Sequence, residues 1–394
     1  MNRVVITGIG CVTPIGSSFE DVKNNLLSGN TGISYNEDIN ACVGIIRDDI
    51  NSKFEQFDKT ITDRFSRLAW LAYTQAKNDS LVKPEGILLG VGYGGGAHAL
   101  EQAYSDLARS GRVRPNSLVC CMPSNAANFV ALKDDIDGPV ITYTAACSSS
   151  SVAIGEAYLK IKNNELTTVA AGGAESCIIN LSTAQWHSML ALSIDKNFPE
   201  KACRPFSNDR KGIVFSEGAV IFILESLDSA VKRGAKIYCE ISDYAYSCGA
   251  ETITKPNKKG QISVIDKISK KLFPHKEKIY INAHGTGTPV GDIVELESIH
   301  EVFKSHCENI PISSTKSLHG HLLGAAGAME SLSCITAITE NIIIPNYNIT
   351  EFDSSIPKTI FLPTEKIQDR VDVALNNSFA FGGTNVVLAF RKLI

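Results

Sequence analysis

An α/β protein with largely buried strands is the fold class this sequence predicts, and three observations predict it. Short β-branched runs alternate with amphipathic helical stretches along the whole chain. At 394 residues the chain exceeds what one hydrophobic core ordinarily supports, which favours two intimately packed halves. Hydrophobic residues make up 44% and charged residues 20%, the balance of an ordinary globular protein.

Taken in order, the β-branched runs predict strands at Val4–Gly8, Ile87–Gly92, Val140–Thr144, Thr168–Gly172, Val220–Leu224, Lys236–Asp243, Ile279–Asn282 and Val371–Leu375. Helical spacing predicts Thr62–Lys77, Ser148–Lys162 with Val152, Ile154, Ala157, Tyr158 and Ile161 on one face, Leu227–Arg233, and Ile293–Phe303. The boundary between halves falls near Arg233–Ala235, giving 1–234 and 235–394. Just beyond it, GAETITKPNKKG (Gly249–Gly260) has the Lys, Pro, Asn and Gly content of a surface excursion.

A net charge of −4 and a pI near 6.1 offer no basic field for a nucleic-acid backbone. No stretch reaches the roughly eighteen apolar residues that span a bilayer. The opening MNRVVITGIG reads as a first strand and turn rather than a signal peptide, so a cytoplasmic chain is expected. The eleven cysteines are odd in number and scattered without a C-x-x-C pair, which suits buried thiols better than disulfides.

Cys147 stands apart from the others. It follows the strand run PVITYTAA and opens the helical run SSSSVAIGEAYLKIK, so its sulfur sits at a helix N-terminus, where unpaired N–H groups favour a thiolate. The bland alternative is a serine-capped helix that happens to begin with cysteine. His284 also ends a strand, in AHGTGTPVGDIVELESI, with Thr286 and Thr288 offering hydroxyls to a ligand. Asp292 and Glu295 suit the first turn of the next helix, a structural role. Lys316, His319 and His321 precede a Gly/Ala-rich helix in which Glu330 can neutralise Lys316. NNSFAFGGTNVVLAF joins two strands through a Gly-Gly turn, with Phe379 and Phe381 as core or gate.

Together these segments resemble the β-ketoacyl-acyl-carrier-protein synthases of the thiolase superfamily, of the elongating synthase II type found in fatty-acid and type II polyketide systems. VVITGIGCVTPIG, TAACSSSS, AAGGAES, RPFSNDRKGIVFSEGA, NAHGTGTPVGD, SSTKSLHGHLLGAAGAMES and NSFAFGGTN occur in family order, nearly end to end. The resemblance implies a five-layered αβαβα thiolase fold of two similar halves, the first carrying the nucleophile and the second both histidines. It implies Cys147 as nucleophile, His284 and His321 as the histidine pair, and Lys316 with its partner Glu330 as electrostatic support. The backbone N–H groups of Cys147 and Phe381 match the oxyanion hole, and Phe381 matches the gate. Thr286 and Thr288 match the threonines that bind phosphopantetheine, and His319 matches no catalytic position. Cys120, Cys121 and Met122 line the acyl pocket by analogy.

The implied reaction is decarboxylative Claisen condensation of an enzyme-bound acyl group with malonyl carried on acyl carrier protein. It needs no redox cofactor or catalytic metal, and the implied assembly is a homodimer or a heterodimer with a chain-length-factor-like subunit. The CSSSS run, Ala380 in place of the usual glycine, and the excursion GAETITKPNKKG with no aromatic and only one acidic residue, Glu251, point to a specialised polyketide or polyene pathway. The alternatives are housekeeping fatty-acid elongation, a non-elongating acyltransferase and a chain-length-factor-like partner.

Overall fold

Ten strands join in one continuous sheet that carries the same five-strand pattern twice. The computed structural model describes residues 1–46, 50–54, 57, 61–93, 96–249, 252–272 and 277–393. The sheet strands are β1 (Val4–Val12), β2 (Gly86–Gly90), β3 (Val140–Tyr143), β4 (Thr168–Glu175), β5 (Gly218–Ser226), β6 (Cys239–Cys248), β7 (Ile279–Asn282), β8 (Ile312–Ser313), β9 (Val373–Phe379) and β10 (Thr384–Arg391). Their spatial order is β8-β7-β9-β10-β6-β1-β5-β4-β2-β3. On one side of the middle, β3, β2 and β4 are parallel and β5 and β1 follow antiparallel. On the other side β8, β7, β9, β10 and β6 repeat that sequence of senses strand for strand. The two half-sheets are joined edge to edge where β1 and β6 pair antiparallel at Val4–Ile241, Val5–Glu240 and Ile6–Cys239.

Each predicted strand exists: β1, β4, β6 and β9 run three to five residues further at their C-terminal ends, β5 gains two residues at each end, β7 matches, and β2 and β3 end one or two residues early. Period-two alternation explains how both faces of the sheet are buried. In β5, Ala219, Ile221 and Ile223 join one apolar cluster while Val220, Phe222 and Leu224 join another. In β10, Val387 and Ala389 face outward to a third cluster while Val386, Leu388 and Phe390 share the middle one. The helices covering these faces are α1 (Arg64–Ser80), α2 (Asn125–Lys133), α3 (Ser149–Lys162), α4 (Lys258–Leu272), α5 (Gly291–Phe303) and α6 (Ala326–Glu340). Helices α1 and α2 pack outside the first half, α4 and α5 outside the second, and α3 and α6 lie between the two. This is the five-layer order αβαβα. The surface excursion expected at Gly249–Gly260 is shorter: Lys258–Gly260 already form the first turn of α4, and Ala250 and Glu251 lie outside the described residues.

The central helices begin alike. A short 3₁₀ turn precedes each, Ala146–Ser148 before α3 and Leu323–Ala325 before α6. Three residues ahead of each helix stands a non-glycine residue in the left-handed region, Ala146 at φ 46° and Leu323 at φ 47°. Such a conformation costs about 1–3 kcal/mol and persists only where its surroundings impose it. They impose it here because the two helices meet at their N-termini. The Ala328 amide of α6 donates to Ser150 Oγ of α3 at 3.0 Å, satisfying one of the free N–H groups at that helix start. A Cβ on Gly327 would stand 2.0 Å from Ser151 Oγ and 3.1 Å from the Ser151 amide nitrogen. Gly327→Ala is therefore expected to push the helices apart and destabilise the fold by about 1–3 kcal/mol. The measurement is the urea midpoint at unchanged slope; an unchanged midpoint would show that the contact has slack.

Candidate active site

Both central helices aim their N-termini at one point, and the site residues collect there. Cys147 lies in the 3₁₀ turn after β3 and before α3, as the sequence suggested. The four serines after it are completely buried and each is bonded. Ser148 Oγ donates to the Ser378 carbonyl at 2.9 Å, and Ser149 Oγ accepts from the Ala145 amide at 2.9 Å. Ser150 caps α6, and Ser151 Oγ meets Ser378 Oγ at 2.8 Å. The CSSSS run thus fastens the Cys147 turn to α6 and to the end of β9.

His284 follows β7 in a loop held by two buried carboxyls. Glu295 accepts from the His284 and Gly285 amides, both at 2.8 Å, and from Asn377 Nδ2 at 3.0 Å. Asp292 accepts from the Gly287 amide at 3.1 Å and the Phe206 amide at 2.9 Å, with Arg210 beside it at 3.4 Å. The structural role expected of Asp292 and Glu295 is this anchoring of the histidine loop. His321 is pinned through its backbone to the segment Val214–Ser216: its amide donates to the Val214 carbonyl at 2.6 Å, and its carbonyl accepts from the Ser216 amide at 2.9 Å.

The Cys147 sulfur and one ring nitrogen from each of His284 and His321 lie within 4.8 Å of one another. The two imidazoles stand edge to face, with centroids 5.4 Å apart. Neither ring nitrogen of His321 has a hydrogen-bond partner, nor has Nδ1 of His284, so these buried polar atoms are free for a substrate. Beneath them Lys316 is fully buried, donating to the His284 carbonyl at 2.5 Å and paired with Glu330. His319 points elsewhere. Its Nδ1 donates to the Gly320 carbonyl at 2.7 Å and its Nε2 accepts from the Thr315 hydroxyl at 3.1 Å, the bonds of a satisfied core histidine.

Burial sets the charges of this cluster. It holds both His284 and His321 well below the usual imidazole range, assisted in each case by the Lys316 charge, so both are neutral. The same burial pushes the Cys147 thiol up to about 12; Lys316 is the main opposing influence, while Glu330 and Glu175 raise it further. Cys147 lies at the helix start read from the sequence, and its burial acts against the thiolate that such a position favours.

A cavity of about 520 Å³ opens over the cluster, lined by Cys147, His284, His321, Thr286, Thr288 and Phe381 among others. The threonine hydroxyls lie 3.2 Å apart at its wall. Phe379 ends β9 in the core with its ring centroid 6.2 Å from that of His284, whereas Phe381 is 39% exposed. Ala380 is extended at φ −119°, a conformation open to any residue, and the turn's left-handed positions fall on Gly382 and Gly383. The alanine therefore leaves the turn unstrained. Sequence reasoning missed Trp186, whose ring stacks on Phe381 at 6.0 Å and 27° and walls the cavity; no motif marks it. Cys120, Cys121 and Met122 do not line this cavity. Cys120 lines a separate one of about 210 Å³ with Asp63 and His98.

Two expectations follow from the buried charges. Glu330→Gln leaves the Lys316 ammonium without its counter-charge and should cost about 3–5 kcal/mol. Lys316→Met should cost less, because the Glu330 carboxyl, which burial already pushes up to about 7, can take a proton. Equal losses in denaturant titrations would refute this ranking. Burial and Lys316 hold His319 down to about 3, while in the unfolded chain the imidazole takes its proton near about 6.5. Below that pH the unfolded state binds one more proton than the fold, so His319 lowers stability as pH falls, by about 1.4 kcal/mol per unit. The stability gap between wild type and His319→Asn should then narrow by about 2 kcal/mol from pH 6.5 to 5; a pH-independent gap would contradict it.

Comparison with known proteins accords with this geometry. The family model for the N-terminal domain of β-ketoacyl synthases matches residues 1–230, and that for the C-terminal domain matches residues 238–350. The chain is 38% identical to a 3-oxoacyl-[acyl-carrier-protein] synthase 2 of Synechocystis sp., over 99% of this chain and 98% of that one. It is 35% identical to a nodulation protein E of Rhizobium meliloti, over 99% of both. Among solved structures, a type II polyketide ketosynthase in complex with its acyl-carrier protein and bound to a hexaketide superposes with a TM-score of 0.90 at 27% identity, covering 100% of both chains. The ishigamide ketosynthase/chain length factor gives 0.91 at 27% identity, again over 100% of both.

Proposed function

The chain belongs to the β-ketoacyl synthase family, a carbon–carbon bond-forming class of acyltransferase, and from that premise we propose that Cys147, His284 and His321 perform a decarboxylative Claisen condensation on carrier-bound substrates. The observation that carries the assignment is the meeting of one sulfur and two neutral imidazoles within 4.8 Å at the floor of a cavity that reaches Cys147.

In the first half-reaction the Cys147 sulfur attacks an acyl thioester while its proton passes to a neighbouring imidazole nitrogen. The Cys147 and Phe381 N–H groups hold the developing oxyanion, a contribution typically worth about 3–4 kcal/mol per donor. The phosphopantetheine thiolate leaves and takes the proton, so the acyl group rests on Cys147. In the second, malonyl thioester loses CO2, and the electron pair left behind forms an enolate. Each neutral imidazole has one N–H to donate to that enolate oxygen, and a charged one is not required. The enolate carbon attacks the Cys147 thioester and forms the new carbon–carbon bond; the acyl–sulfur bond breaks, the Cys147 sulfur leaves as thiolate and takes up one proton from solvent, and the β-ketoacyl product is released on the carrier. The balance closes without a redox cofactor or metal.

Lys316 and Glu330 support the His284 loop, Thr286 and Thr288 receive the phosphopantetheine arm, and Phe381 gates the acyl pocket. We take 1–234 and 235–394 as the two thiolase-like halves. Acyl carrier protein is the substrate-bearing partner in this reading. Dimerisation, with a second copy or a chain-length-factor-like subunit, is supported by β3, a half-buried edge strand, and by exposed Leu100, Tyr104, Leu107 and Leu118. A specialised polyketide or polyene pathway is the finer reading, supported by the likeness to type II polyketide ketosynthases; the 38% identical relative supports fatty-acid elongation instead. Cysteines that form no disulfide suit a reducing, cytoplasmic setting, and among the described residues no helix is long and apolar enough to cross a membrane.

Intact-mass spectrometry tests the assignment. Wild type should gain an acyl group from acyl-carrier thioesters and lose it to a product two carbons longer on adding malonyl carrier. Cys147→Ala should gain none. His321→Ala should still acylate but condense about 10²–10³-fold more slowly. Acylation that survives in Cys147→Ala would overturn the nucleophile assignment.

A further inference from the structure

The three groups of the site are also a ligand set. We propose that Cys147, His284 and His321 form a reversible three-ligand site for a soft divalent cation such as zinc, whose binding switches the nucleophile off. The ligand atoms already lie within 4.8 Å of one another, one per residue. A tetrahedral zinc ion, with Zn–S about 2.3 Å and Zn–N about 2.0–2.1 Å, holds such atoms about 3.5 Å apart, so a closure of roughly 1 Å by side-chain rotation completes the site. The unpartnered nitrogens are the second observation. His321 Nδ1 and Nε2 and His284 Nδ1 are buried with lone pairs or N–H groups that nothing in the fold occupies. The fourth position would face the cavity, as in zinc sites that keep one position open.

The charge felt by both imidazoles is that of Lys316, which opposes a second cation, so the offsetting negative charge comes from the Cys147 thiolate formed on binding and from Glu330. Lys316 is itself engaged by Glu330 and the His284 carbonyl. Resident metal sites normally hold each histidine by a hydrogen bond from its other nitrogen. His321 has no such bond, which makes this a switch with exchangeable metal rather than a cofactor site. On binding, the Cys147 S–H bond breaks, its proton goes to solvent, and the sulfur lone pair that would attack a thioester forms the S–metal bond. Once acylated, Cys147 no longer offers a thiolate, so acylation and metal binding exclude each other.

The consequence for turnover rests on Cys147 being the nucleophile; the binding itself does not, and the test separates the two. Zinc-loaded wild-type protein at one equivalent should show one sulfur and two imidazole nitrogens in its X-ray absorption spectrum. Cadmium titrated into the metal-free protein, followed by its thiolate charge-transfer band, should saturate at one equivalent. Its affinity should weaken by more than about 100-fold in Cys147→Ser and in His321→Ala, beyond the roughly 10–100-fold that losing an outer-shell partner typically costs, and stay unchanged in Cys248→Ser, which removes the exposed cysteine. A sulfur-free shell, or equal affinity in wild type and Cys147→Ser, would overturn the proposal. Metal binding without condensation activity would count against the proposed reaction alone.

Discussion

The crossing of the two central helices at their N-termini is the constraint on which the rest of the structure depends. Only small residues allow it: Gly327 lies against Ser151, and Ser150 caps the Ala328 amide. Because the helices touch there, their preceding turns are brought face to face, and those turns carry Cys147 and the segment just after His321. Ser378 then ties the same crossing to the end of β9 through Ser148 and Ser151, which fixes where the Phe381 turn begins. Packing at one contact thus places Cys147, His321 and the Phe381 turn in a common frame.

Electrostatics completes what packing begins. Amide groups of the site loops would otherwise be buried without acceptors, and carboxyls fill that need: Glu295 and Asp292 for the His284 loop, Glu175 for the amides of Gly92, Tyr93 and Gly324. Burying acids so densely pushes Asp292 up to about 6 and Glu295 up to about 7. The histidines experience the same dry surroundings in the opposite sense and stay neutral. A hydrogen-bond donor at each imidazole is therefore available without a charge that the core would have to solvate.

Much of this was legible in the sequence because it lives in local pattern. The strand-to-helix position of Cys147, the strand-end position of His284 and the Gly-Gly turn after Phe381 are each written within a dozen residues. What was not legible depends on residues far apart in the chain. Trp186 reaches Phe381 across 195 positions with no motif at either end. The four serines mark no structural role in the sequence, yet their bonds to Ser378 and Ala328 make them part of the helix crossing. The thiol's protonation depends on burial by distant segments, which a helix-start argument cannot weigh. Likewise the edge-to-edge joining of the two half-sheets rests on three residue pairs between β1 and β6, too few to leave a pattern.

The repeat has a consequence for how the two halves divide their labour. Ala146 and Leu323 occupy matching places, so the residue after each, Cys147 in one copy and Gly324 in the other, stands at the same point of the same turn. At Gly324 a Cβ would lie 2.0 Å from the Gly92 amide nitrogen and 2.7 Å from Glu175 Oε2, so no side chain fits. One copy of the turn has been closed by its neighbours and the other left open. A repeated strand pattern that offers two matching turns is thereby reduced to one turn open to a side chain, an asymmetry that the order of its strands does not have.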